Sequence, residues 1–295
     1  MFNWHKKEKP FFTGITRGVG GAGFGKARAA GFTAPSSFTA TGGTTFESGG
    51  YKYHVFTTAS PQPFNVAFVG PGIVTNLLIV AAGGAGGNSR AGGGGAGGLR
   101  NLSNIPVTAQ NYTITVGAGG AGKGGDSSAL NYSASGGGAM PTDIGEIPPA
   151  GPGGSGCGGP GNGGGPGGLG NLGGYSPPEG RNGGSGSGAI GGGGGGAGGV
   201  GTNAPAPYPN PGVQGGNGTL IPWVPPAYGE NRYFAAGGSS TGYPNILADN
   251  GNTFGGGGGG DRVALPNTGG GGGGKPGAGG YFGAPGVVIL RYVYP

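Results

Sequence analysis

The chain has 295 residues, of which 88 are glycine and 26 are proline, whereas charged residues make up only 8%. So much glycine leaves too little side-chain volume for the core of most enzyme folds, and a single cysteine, Cys157, excludes an intrachain disulfide framework. Runs of six glycines also exclude collagen, which needs glycine at every third position. The composition therefore favours a structural or binding role.

Residues 1–34 form a basic arm that carries five of the six net positive charges of the chain. No nucleic-acid-binding motif accompanies these cations, so we expect a protein partner and no nucleic acid. We predict that the aromatic and cationic side chains of the arm dock it into the grooves of that partner, with a disordered tail as the alternative. The docking candidates are Phe2, Trp4, Phe11, Phe12, Arg17, Phe24, Lys26 and Arg28.

Residues 35–135 carry the patterns that are typical of β-strands. Tyr51, Tyr53 and Val55 alternate with polar neighbours, which predicts a half-buried strand with His54 facing outward. The apolar run Leu77–Ala82 predicts a strand that is buried on both faces. No segment shows a long helical period, so we expect almost no α-helix. The predicted strands are Thr44–Glu47, Tyr51–Thr57, Asn65–Val69, Leu77–Ala82 and Asn111–Val116.

Residues 136–280 form a glycine-rich region in which proline-rich and aromatic inserts separate runs of glycine. Residues 281–295 then contain an apolar segment, Val287–Val293, that predicts a further strand. A strand so far downstream needs a partner, so we expect it to return to the β-strand base of residues 35–135. The glycine-rich region is then a compact excursion from that base.

Hydrogen bonds between backbones can order a glycine-rich chain that side-chain burial cannot. Fixing the backbone costs about 1–2 kcal/mol per residue, and glycine loses the most freedom. Extended helices of the polyproline II type have no internal hydrogen bonds. Without Cβ atoms such helices can pack closely and bond one another, so that each buried polar group finds a partner. We therefore predict an all-β fold in which a polyglycine II helix sandwich stands on a small β-sandwich base, with loops at the rod ends.

Four phrases of the sequence resemble a known group of proteins. They are LLIVAAGGAGG (77–87), GGGGAGGL (92–99), YTITVGAGGAG (112–122) and the closing GVVILRY (286–292). Together with the glycine blocks, they resemble the glycine-rich domain of bacteriophage tail-fibre proteins, and in style the tip adhesins of phages related to the T-even group. The resemblance implies a polyglycine II sandwich on the virion whose distal loops contact a host receptor.

The insert at residues 219–234, TLIPWVPPAYGENRYF, is the best candidate for recognition. Tyrosine and tryptophan among glycine, serine and asparagine form a composition that is common in binding surfaces. The alternative is that these aromatic rings pack on one another and seal the end of the lattice. The receptor-binding candidates are Trp223, Tyr228, Arg232, Tyr233 and Phe234 in this insert, and Tyr208, Tyr243 and Phe254 in others.

The sequence offers little for catalysis or metal binding. His5 and His54 lie in different regions, and the aspartates lack the spacing of a metal-binding loop. A paired-carboxylate site among Glu146, Glu179 and Glu230 is a weak alternative, because it depends on a geometry that spacing does not reveal. We expect no enzyme, no catalytic residue, no cofactor and no metal.

The leading hypothesis is a phage attachment protein, which would bind other tail or fibre proteins through its arm and a host protein or polysaccharide through its loops. A virion joint or decoration protein is the main alternative. The glycine-rich region of an animal receptor kinase and a disordered silk-like protein are weaker ones. Oligomeric state stays open between a homotrimer and a monomer on a trimeric fibre.

Overall fold

The computed structural model describes residues 39–68, 73–88, 90–140, 149–205, 212–242, 255, 257–258, 263–275 and 280–294. Residues 1–38, and with them all eight docking candidates of the arm, lie outside the described residues.

The described residues contain twelve β-strands and no helix, so the prediction of an all-β fold is confirmed. The strands are β1 (Thr39–Thr41), β2 (Thr44–Ser48), β3 (Tyr51–Phe56), β4 (Gln62–Phe68), β5 (Ile73–Val80), β6 (Leu99–Pro106), β7 (Asn111–Ile114), β8 (Ser127–Ala129), β9 (Tyr132–Ala134), β10 (Thr219–Leu220), β11 (Tyr233–Phe234) and β12 (Val287–Val293).

The central sheet has five antiparallel strands in the order β2-β3-β12-β5-β6. The closing strand β12 returns as predicted and lies between β3 and β5, where Ile289 pairs with both Val55 and Leu78. A second sheet has the order β1-β4-β7, and β8-β9 and β10-β11 form separate two-stranded sheets. Strand β6 was not predicted, and its leucines and isoleucine recur every third residue and do not alternate with polar residues. Within this strand Asn104 adopts a positive φ of 56°.

Each face of the five-stranded sheet packs against its own hydrophobic cluster. On one face Phe56, Leu77 and Leu290 join Phe64 and Ile114 of the three-stranded sheet. On the other face the buried side chains belong to alternate positions of the sheet strands, to the insert 219–234 and to three alanines of neighbouring segments. They are Tyr53, Val55, Leu78, Val80, Ala96, Leu99, Ala197, Ile221, Val224, Phe234, Ala235, Val287 and Ile289.

The prediction that His54 faces outward is wrong. Its side chain is fully buried, and its ring contacts Phe64 edge-on at a centroid distance of 5.1 Å. Alternating apolar and polar residues in β3 predict an exposed polar face only if no other element covers that face. Here the three-stranded sheet covers the second face, which no pattern within β3 reveals.

Segments that continue from the central sheet form extended glycine rods. In residues 81–87, successive backbone N–H groups donate in turn to three neighbouring segments, and the fourth donor returns to the first of them. A β-strand would alternate between two neighbours, whereas a period of three is that of a helix with three residues per turn. The donor–acceptor pairs are Ala82–Gly125, Gly83–Ala284, Gly84–Gly95, Ala85–Gly122, Gly86–Tyr281 and Gly87–Gly92, with N···O distances of 2.9–3.1 Å.

The rod at residues 91–98 shows how these helices pack. It donates backbone hydrogen bonds to three segments, 192–195, 269–272 and 135–138, and it accepts them from three others, 81–87, 155–158 and 238. Six neighbours around one rod are the hexagonal packing of a polyglycine II lattice. The predicted polyglycine II packing is therefore present in the glycine rods that the structure describes.

Candidate functional site

The insert at residues 219–234 is a hairpin that lies on the five-stranded sheet. Strands β10 and β11 pair with each other through Thr219–Phe234 and Leu220–Tyr233. Ile221, Val224 and Phe234 are almost fully buried against the sheet. These three side chains of the insert therefore belong to the hydrophobic core, because the five-stranded sheet needs an apolar cover on this face.

Trp223 is held on this sheet by its indole and by its backbone carbonyl. The indole N–H donates to Oδ1 of Asn101 on β6 over 3.0 Å. The carbonyl accepts hydrogen bonds from the Tyr53 hydroxyl at 3.2 Å and from Nη1 of Arg291 at 3.4 Å. The half-buried indole is consequently fixed in orientation while part of it faces solvent.

Arg291 on β12 is the polar centre of this region. Its Nε donates to Oδ1 of Asn76 over 2.8 Å, and its Nη1 donates to the Tyr53 hydroxyl over 2.9 Å. Its guanidinium carbon lies 4.1 Å from the ring centroid of Tyr51 and 5.1 Å from that of Trp223. Cation–π contacts of this kind add to the hydrogen bonds that immobilise the side chain.

Phe46 and Tyr228 extend the row of rings toward the edge strand β2. Phe46 stacks on Tyr53 at a centroid distance of 4.6 Å and on Tyr228 at 5.9 Å, with interplanar angles of 9° and 14°. Except for the buried Tyr53, these rings are half-buried. We call Phe46, Tyr51, Trp223, Tyr228 and Arg291 the aromatic surface. Its rings offer apolar faces and its asparagine neighbours offer amide groups, which together suit a binding site.

The structure does not bring all of the receptor-binding candidates together in one site. Trp223 and Tyr228 belong to the aromatic surface, whereas Phe234 is a buried core residue. Arg232, at a φ of +72°, and Tyr233 are half-buried in the hairpin, where the Arg232 N–H donates to the Tyr228 carbonyl. Tyr208, Tyr243 and Phe254 lie outside the described residues.

Sequence reasoning missed Phe46, Tyr51 and Arg291 as parts of this surface. Tyr51 and Arg291 lie on strands that are far apart in the chain, and they meet because β3 and β12 pair. The alternation in β12 places Arg291 on the same face as Val287 and Ile289. An arginine within an otherwise apolar strand was the feature of the sequence that could have indicated this surface.

Two of the carboxylates that were considered for catalysis serve the backbone instead. Glu179 is 1% exposed, and its two carboxylate oxygens accept hydrogen bonds from the N–H groups of Ser135 at 2.8 Å and Gly173 at 2.9 Å. Glu230 accepts the N–H of Gly255 over 2.8 Å. Glu146 lies outside the described residues.

No three histidine, cysteine or acidic side chains of the described residues form a group that could hold a metal ion. Burial raises the pKa of the Cys157 thiol to about 12, although its sulfur accepts the N–H of Gly151 over 3.0 Å. Within the described ranges, the structure contains no helix of the length and hydrophobicity that crossing a membrane requires.

A family model described as a glycine-rich domain matches residues 58–293, which include β4 to β12 and the rods between them. No curated protein matches the sequence.

Proposed function

Because this chain belongs to the glycine-rich domain family, we propose that it is a bacteriophage attachment protein that binds a receptor on the host cell. The aromatic surface is the observation that carries the binding role. The resemblance to tail-fibre proteins supplies the virion as the location, with the arm of residues 1–34 as the docking element.

Rigidity is what suits the protein to this task. Arg291 and Trp223 are each held by hydrogen bonds and ring contacts, so a partner that binds them immobilises few additional rotamers. The hexagonal lattice supports the same sheet from one end, because β5 and β12 continue directly into glycine rods. A stiff mount keeps the aromatic surface at a fixed place on the particle.

The experiment that tests this function has two parts. Labelled antibodies should locate the protein on particles of the phage that encodes it, and the purified protein should compete with those particles for host cells. Competition that is lost in Trp223→Ala but kept in the folded Leu220→Ala control would support the aromatic surface. Absence of competition by the unmodified protein would contradict the attachment role.

The burial of Ile221, Val224 and Phe234 favours a second candidate, a joint within the virion. In that case, the insert serves mainly to cover the sheet, and the aromatic surface contacts another virion protein. Antibodies raised against the insert distinguish the two functions, because they label intact particles only when the surface faces solvent.

A further inference from the structure

A second cluster of aromatic and cationic side chains lies on the opposite face of β6 from Asn101. Successive residues of a strand point to opposite faces, so Arg100 and Asn101 serve different surfaces. The guanidinium carbon of Arg100 lies 3.9 Å from the ring centroid of Tyr175 and 5.5 Å from that of Tyr132. Its Nη1 donates to the carbonyl of Ser133 over 3.2 Å. Arg100 is therefore pinned at the surface.

The loop that carries Tyr175 is built to hold this ring in place. Oδ1 of Asn171 accepts the N–H groups of Tyr175 at 3.1 Å and Glu179 at 3.2 Å, and its Nδ2 donates to the Tyr175 carbonyl over 3.0 Å. The buried carboxylate of Glu179 binds the N–H groups of Ser135 and Gly173. Burying a carboxylate costs free energy unless it is hydrogen-bonded. The two hydrogen bonds of Glu179 offset that cost, and they also fix the position of the loop.

The same loop is fastened directly to the strand that carries Arg100. The Leu99 N–H donates to the Glu179 carbonyl over 2.7 Å, next to Arg100 in the chain. The Tyr175 hydroxyl lies 3.0 Å from the Ser133 hydroxyl. Arg100, Tyr132, Ser133 and Tyr175 thus form one preorganised patch, which we call the Arg100 patch.

Arg100 has no carboxylate partner among the residues that the structure describes. A guanidinium carries five N–H donors, and one nitrogen of Arg100 bonds a carbonyl while the ring contacts occupy its faces. Its remaining donors lie in the plane of the group and suit the two oxygens of a planar anion. The half-exposed side chain leaves room for such a ligand.

We propose that the Arg100 patch binds an oxyanion carried by a saccharide, either a carboxylate or a sulfate. The guanidinium pairs with the anion, the rings of Tyr132 and Tyr175 contact the C–H groups of the sugar ring, and the hydroxyls of Ser133 and Tyr175 bond its hydroxyl groups. Adjacent hydroxyls beside aromatic rings favour a saccharide over the carboxylate of a protein. The site is separate from the aromatic surface and does not depend on its function.

Titration calorimetry on the full chain tests the proposal with trigalacturonate, uncharged galactotriose and sulfated galactotriose. We expect binding of at least one charged trisaccharide and much weaker binding of galactotriose. Arg100→Gln should lower the affinity for the charged ligand by about tenfold or more, because it removes a charge-assisted hydrogen-bonded pair. Arg100→Lys should restore only part of the affinity, since lysine lacks the planar fork. Comparison of the affinities for trigalacturonate and sulfated galactotriose shows whether the Arg100 patch prefers a carboxylate or a sulfate.

Arg181→Gln is the matched control, because Arg181 is exposed and carries the same charge outside the patch. It should change the affinity less than about twofold. Equal losses in Arg100→Gln and Arg181→Gln would mean diffuse charge attraction and would overturn the proposal. Failure of both charged trisaccharides to bind, or equally tight binding of a polyglutamate peptide, would overturn it as well.

Discussion

The indole N–H of Trp223 donates to Oδ1 of Asn101 over 3.0 Å, and this bond joins the hairpin of residues 219–234 to β6, an outer strand of the five-stranded sheet. Below the indole, Ile221 and Phe234 are completely buried. Attachment of the hairpin thus rests mainly on apolar burial, while the Trp223 side chain orients a surface that faces solvent. These two roles can be separated by mutation.

Trp223→Ala should abolish host attachment while the fold persists. Most of the indole is removed from water, where it packs against the hydrophobic cluster on the sheet, so its loss should lower the free energy of unfolding by about 2–3 kcal/mol. Denaturant unfolding and adsorption to host cells measure the two effects. Leu220→Ala is the control, because Leu220 belongs to the same hairpin and is 40% exposed. Normal adsorption by the Trp223 variant would contradict the receptor-binding assignment.

Gly93→Ala should destabilise the lattice severely. A Cβ atom at this position would overlap the carbonyl oxygen of Gly238, and a backbone atom can yield only if a whole rod moves. Overpacking a core costs about 1–3 kcal/mol, and we expect the upper end or more here. Gly122→Ala is the control, because nothing lies within 4 Å of its Cβ position. Thermal unfolding should separate the two variants clearly, and similar midpoints would argue against tight rod packing.

The elements that sequence reasoning recovered are those whose pattern is local. The apolar alternation of Tyr51–Phe56 and the mainly apolar run of Val287–Val293 depend only on neighbouring residues, and both strands were predicted. The burial of His54 depends on a second sheet, and the place of Trp223 depends on contacts with Asn101 and Arg291 across the chain. Runs of glycine indicate rods, but because their residues are identical, the sequence does not predict which rods pack against one another.

Cys157 should be inert to thiol reagents in the native protein. Its side chain is completely buried and its pKa is raised to about 12 by desolvation, so almost no thiolate exists at neutral pH. Iodoacetamide should label it at pH 8 only after unfolding in denaturant, as mass spectrometry would show. A Gly93→Ala variant with a loosened lattice should be labelled faster, and rapid labelling of the native wild-type protein would contradict the burial.

The stability of the protein should fall as the pH drops below about 6.5 because of His54. Its Nδ1 lies 2.7 Å from the Gly42 carbonyl, so Nδ1 carries the hydrogen and Nε2 accepts from the Tyr292 hydroxyl at 3.3 Å. Burial lowers the pKa of this imidazole below 6.5, and Lys52 adds repulsion, although the bond to Gly42 acts in the opposite direction. Below pH 6.5 the unfolded chain therefore binds the proton first, so acid favours unfolding.

Urea unfolding between pH 8 and pH 5.5 measures this effect. The free energy of unfolding should be nearly constant above pH 7 and should then decline by at most about 1.4 kcal/mol per pH unit, down to the lowered pKa of His54. The decline should disappear in His54→Asn, whereas the control variant His5→Asn should keep it. A decline that survives in His54→Asn would show that another group causes it, and the neutral buried histidine would then have no part in acid sensitivity.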